Sequence, residues 1–254
     1  MACPACISGT LHVGTPEGII QTLHGLPTYV ATPPISVAKG TVVIILDSFG
    51  WQFNNNRILA DVLAKKGNFR VLLPDFMAGK NLSQDALPYM DKILTKHESF
   101  GLHSLINVWY MIKVMTMFVP FIIGCRFSVT HPRVLAYMKN LREEDESHSV
   151  GVAGYCWGGK HVFFLSHDKV KTTSGKSLID CGFAAHPSFI KFPGDVDAVT
   201  LPLSIACPEK DFQITEEKTE TLRNSLEKKN TADCEVKVYE GATHGVSHPS
   251  SVEH

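Results

Sequence analysis

The chain has 254 residues, 44% of them hydrophobic and 19% charged. That is enough apolar material for a real core, which excludes a disordered or fibrous chain. Lys+Arg total 24 against Asp+Glu 25, a formal charge of −1, so no global positive field exists to hold a phosphate backbone and nucleic acid is not an expected partner.

From the N-terminus, Cys3-x-x-Cys6 has the spacing of half a zinc clamp, but no second pair lies nearby to complete four ligands. Seven scattered cysteines do not form a disulfide framework. The first thirty residues lack a basic stretch followed by an apolar run, so no secretion signal and a cytoplasmic, reducing setting are expected. No repeat, low-complexity tract or linker divides the chain, and residues 1–254 read as one domain.

Val42 to Leu46 is a continuous apolar run, the pattern of a strand buried on both faces. A turn-rich loop, Asp47 to Asn56, follows, and then Ile58, Leu59, Val62 and Leu63 recur at helical spacing up to Gly67. Phe69–Leu73 is a second strand, stopped by Pro74. Further strands are expected at Ser149–Ala153, Gly182–Ala185, Leu203–Ala206 and Cys234–Tyr239, with helices at His131–Arg142, Gly158–His167 and Glu216–Lys229. Strands alternating with helices predict a mostly parallel sheet with helices on both faces. A helical insertion near residues 97–147 interrupts that rhythm. Its segment Leu105–Gly124 is almost wholly apolar, but Lys113 near the centre and Pro120 near the end count against a membrane span. The expectation is a helix that caps a pocket, without a bilayer partner.

Gly154-Tyr155-Cys156-Trp157-Gly158-Gly159 lies between a predicted strand and a predicted helix. A sharp strand-to-helix turn strains its apex residue, and glycines two positions away on either side let strand and helix pack closely. Cys156 is the apex, at a helix N-terminus whose dipole favours thiolate, which makes it a candidate nucleophile. Downstream, Asp211 follows one predicted strand and His244 another, in the order nucleophile, acid, histidine. Glu209 competes with Asp211 for the acid role. An oxyanion hole would need the amide after the nucleophile, Trp157, and one from the loop Asp47-Ser48-Phe49-Gly50, where Ser48 or Phe49 is the candidate.

With Asp47-Ser48-Phe49-Gly50, Leu73-Pro74-Asp75-Phe76, the Cys156 elbow and Thr243-His244-Gly245, the chain resembles the dienelactone hydrolase (carboxymethylenebutenolidase) family, its fungal members in particular. The resemblance implies an α/β-hydrolase fold and a Cys156–Asp211–His244 triad that hydrolyses small lactones or esters without metal or organic cofactor. It also places Asp47 where the family commonly has a glutamate contacting the resting thiol, with Phe49 and Trp51 as pocket walls. In the bacterial enzymes an arginine four residues after the histidine helps bind the substrate carboxylate; here His248 takes that place, so a neutral or bulkier substrate is expected, the alternative being a cation supplied by Lys80 or Arg126. Only ten residues follow His244, fewer than the family's final helix needs, so a homodimer covering that face is left open. The alternative reading is a non-hydrolytic accessory protein of a biosynthetic pathway using the same fold.

Overall fold

Side chains along a strand alternate between faces, so a run that is apolar at every position requires a packed layer on each side. The computed structural model shows that outcome for residues 14–35, 37–86, 88, 89, 92, 102–227 and 233–243. Strands β1 (Ile19–Leu23), β2 (Leu26–Ala31), β3 (Thr41–Ile45), β4 (Arg70–Pro74), β5 (Val150–Tyr155), β6 (Cys181–Ala185), β7 (Leu203–Lys210) and β8 (Cys234–Thr243) form one sheet. Their order is β1-β2-β4-β3-β5-β6-β7-β8, with the β1–β2 and β2–β4 pairs antiparallel and all later pairs parallel. Val43, Ile45 and Leu72 face one apolar cluster, while Ile44, Leu46, Val71 and Leu73 face the other.

Helix α1 (Asn54–Gly67) covers the second face through Ala60 and Ala64. On the first lie α3 (Phe127–Glu144), α4 (Trp157–Leu165) and α6 (Glu216–Glu227), with the short α5 (Gly194–Asp197) between them. Asn68, at φ 58° and ψ 43°, makes the left-handed turn that ends α1. Gly67, the expected terminator, serves a different purpose: a Cβ there would sit 2.5 Å from the Phe69 ring. The β1–β2 hairpin has no counterpart in the sequence reading. It is fastened by Tyr29, whose hydroxyl donates to Asp61 of α1 at 2.8 Å.

The insertion between β4 and β5 holds α2 (Leu102–Gly124) and α3. Val114 of α2 packs on Phe49, Phe53 and Leu82, and Phe121 joins the main core. No single described helix is long and apolar enough to cross a membrane; residues 108–124 and 127–144 reach that length only as a pair bent by 55°. Arg142, fully buried at the end of α3, binds this layer to the sheet. Its guanidinium donates to the carbonyls of Ser177 at 3.0 Å and His148 at 2.5 Å, and meets Asp180 at 2.7 Å.

Helices α3 and α4 meet through paired histidines. His131 and His161 approach at 3.1 Å between their Nδ1 atoms, stacked against Phe127. Burial, reinforced by His167, lowers His131 to about 4, and burial beside His131 and Lys160 lowers His161 well below the ordinary histidine value. Both are therefore neutral in the fold, whereas the unfolded chain takes up protons below about 6.5. Stability is thus complete above that pH and falls as pH drops from about 6.5 toward 4, by up to about 1.4 kcal/mol per pH unit for each proton. Urea unfolding across that range should show this slope in the wild type and a shallower one in His131→Phe. Equal slopes would refute the linkage.

Candidate active site

The carboxyl ends of β3, β5, β6 and β7 converge on one edge of the sheet, where a parallel α/β fold places its chemistry. Cys156 stands there between β5 and α4 with φ 51° and ψ −112°, a conformation L-residues avoid unless the surroundings enforce it. The enforcement is visible in three glycines. A Cβ on Gly158 would lie 1.9 Å from the Ile45 carbonyl oxygen, one on Gly154 would strike Val162 at 2.5 Å, and one on Gly159 would strike Pro187 at 2.6 Å. The Cys156 amide donates to Ala185 at 3.1 Å, and its carbonyl accepts from Gly159 at 3.1 Å and Ser188 at 2.9 Å.

Ser188 has no place in the sequence reading. It is buried beyond the end of β6, with its Oγ 3.4 Å from Cys156 Sγ, within hydrogen-bond reach. The available signal was the His186-Pro187-Ser188 turn directly after a predicted strand. That turn is strained as well, with φ 37° at His186 and 62° at Phe189.

Asp211 follows β7 and is buried; its Oδ1 accepts the amides of Gln213 at 2.7 Å and Ile214 at 3.3 Å. Glu209 is exposed, and its Oε2 accepts the Gly241 amide of β8 at 2.6 Å. The preferred carboxylate and its competitor thus have different surroundings. Register pairs Lys210 with Thr243, the residues immediately before Asp211 and His244. His244 and His248 themselves lie outside the described residues, as do Cys3 and Cys6.

In the loop after β3, Asp47 is buried and its Oδ1 accepts the Phe49 amide at 3.0 Å and the Asn56 side-chain amide at 3.4 Å. The Phe49 amide is therefore engaged, and its ring packs on Phe53 with centroids 5.4 Å apart. Trp51 and Trp157 do come together, lining a recess of about 10 Å³ with Leu46, Asp75, Phe76 and Met77. That is room for about one water molecule. Phe121 of α2 meets Trp157 with ring centroids 6.3 Å apart, so the insertion borders the elbow.

Strand order and elbow define an α/β-hydrolase. The sequence pattern of the dienelactone hydrolase family matches residues 26–253, and the chain belongs to that family. It is 27% identical to the hydrolase pyvD of Aspergillus violaceofuscus over 94% of this chain and 83% of that protein. It is 25% identical to the mouse carboxymethylenebutenolidase homolog, covering 97% and 85%. Among solved structures, the dienelactone hydrolase of Anabaena variabilis superposes with a TM-score of 0.57 at 14% identity, over 94% of this chain and 92% of that one, a likeness of fold. The protein is accordingly a hydrolase of the lactone and ester class.

The elbow's tolerance is measurable. Because Gly158 abuts backbone, which cannot swing aside, Gly158→Ala should abolish soluble expression or lower Tm by more than 10 °C, on the order of several kcal/mol. A Tm unchanged from wild type would show that the helix can retreat from the sheet.

Proposed function

We propose that Cys156 is the nucleophile of a Cys156–Asp211–His244 triad that cleaves small lactones or esters through a thioester. The observation that carries this reading is the strained Cys156 backbone at the carboxyl edge of the sheet, locked by Gly154 and Gly158. Buried Asp211 supports the acid assignment, because Glu209 is exposed and engaged by β8. In sequence His244 directly follows Thr243, whose partner across the sheet is Lys210, the residue before Asp211.

His244 takes the proton of the Cys156 thiol as sulfur bonds to the carbonyl carbon, forming a tetrahedral oxyanion. The amides of Trp157 and Ser48 hold that charge; the competing loop amide, Phe49, is bound to Asp47. Collapse breaks the carbon–oxygen bond, and the imidazolium returns its proton to the departing alkoxide. Water then attacks the thioester, giving its proton to His244 and releasing the acid and the thiol. No step calls on a cofactor.

Cys156→Ala should eliminate turnover with Tm retained, and Cys156→Ser should keep little activity, since a hydroxyl is far less acidic than a thiol. Iodoacetamide should label the wild type at Cys156 rapidly near neutral pH and slowly in His244→Ala. Wild-type turnover by the alanine variant would overturn the assignment.

The substrate is proposed to be neutral or bulkier than dienelactone. Unlike a guanidinium, an imidazole at position 248 cannot form a bidentate charged pair with a carboxylate. Arg126 donates to the Ile123 carbonyl at 3.2 Å, at the end of α2 near Lys80. A neutral lactone should therefore show higher kcat/KM than its carboxylated analogue at pH 7.5, with the order reversed in His248→Arg. A wild-type preference for the carboxylated substrate that survives removal of both Lys80 and Arg126 would sink this reading.

A further inference from the structure

Helix α2 is secured to the protein on one side only. Val114 and Phe121 are buried, yet Val108, Met111, Ile112, Met115, Val119, Ile122 and Ile123 are each between 46 and 58% exposed. At 100° per residue these seven occupy an arc of roughly 120°, and between Val108 and Ile123 no polar residue falls inside it. Seven half-exposed large side chains side by side make a continuous apolar patch, unlike the singly scattered hydrophobics of an ordinary surface.

The charges around this face say what covers it. Lys113 is exposed on α2 about 80° beyond the edge of the arc, Arg126 and Lys80 are exposed at the helix's C-terminal end, and Lys92 stands over the Tyr110 ring at 5.2 Å, on the side of the helix away from the arc. From residue 99 to residue 142 the sequence contains no Asp or Glu. Asp85, on the turn beneath the helix, is held by Ser83. Trp109, 49% exposed, flanks the apolar arc 5.4 Å from Lys113, the pairing of aromatic ring and cation suited to a headgroup layer. Two copies joined through α2 would set these cations against one another with no acid on the helix to offset them, which disfavours self-association. A span is excluded by packing: Phe121, Val134, Tyr137, Met138 and Leu141 of the bent pair belong to the protein core.

We infer that the exposed face of α2 docks in the plane of an anionic lipid bilayer, its apolar arc in the acyl boundary and its cations among the headgroups. The sequence alone weighed a span and set it aside; lying flat is a different contact, and it does not rest on the catalytic assignment.

Vesicle flotation of the full chain tests it. Protein should float with phosphatidylcholine vesicles containing about 30% phosphatidylserine, and at least about tenfold less with phosphatidylcholine alone. Binding should weaken between about 0.1 and 0.5 M salt. Trp109 emission should shift to the blue on binding, since Trp51 and Trp157 are already buried. Ile112→Glu combined with Met115→Glu should abolish flotation while leaving hydrolysis of a water-soluble ester unchanged. Flotation equal on neutral vesicles, absent from both, or retained by the double variant would overturn the inference. So would a wild-type dimer in sedimentation equilibrium that the double variant dissociates while vesicles remain unbound, which would assign the face to a second copy.

Discussion

The contact on which the site depends is between the backbone of α4 and the backbone of β3, where Gly158 rests against the carbonyl of Ile45 with no space for a methyl group. Only that approach lets β5 turn into α4 within one residue and hold Cys156 above the sheet edge. It also fixes Trp157, whose indole donates to the Cys125 carbonyl at 3.0 Å and whose ring meets Phe121. The insertion is therefore seated by the elbow rather than placed independently over it. Strain at the apex is sustained because the end of β6 holds the Cys156 amide while Gly159 of α4 and Ser188 after β6 hold its carbonyl.

Much of this was legible because buried parallel strands leave an unmistakable sequence pattern. Val42 to Leu46, Phe69–Leu73 and the glycines around Cys156 announced the central strands and the elbow within a residue or two of where they lie. The β1–β2 hairpin was not legible: Ile19 and Ile20 are exposed at the sheet edge and make no buried run. Likewise β7 continues through Pro208 to Lys210 across a register shift, where proline usually signals an end.

At the site, sequence order nominated Cys156 and Asp211 and left Glu209 as a competitor for the acid role; that one is buried and the other exposed is a tertiary property no spacing shows. Ser188 escaped notice for the same reason. Its relation to the thiol arises from β6 lying beside β5, a neighbourhood that no local spacing encodes. The insertion was expected to cap a pocket. Its inner face does border Trp157, but half its circumference faces outward, and a uniformly apolar helix gives no sequence cue to distinguish the two sides.

The strand order also dictates when the site comes into being. Proceeding from β5 to β6, β7 and β8 moves outward across the sheet and later along the chain at every step. Asp211 joins the edge only when β7 has docked, and the backbone leading to His244 only with β8, the outermost strand. During synthesis, Cys156 emerges from the ribosome long before either. On the proposed triad, Cys156 is therefore made first and stays without its acid and its base until the last crossover closes.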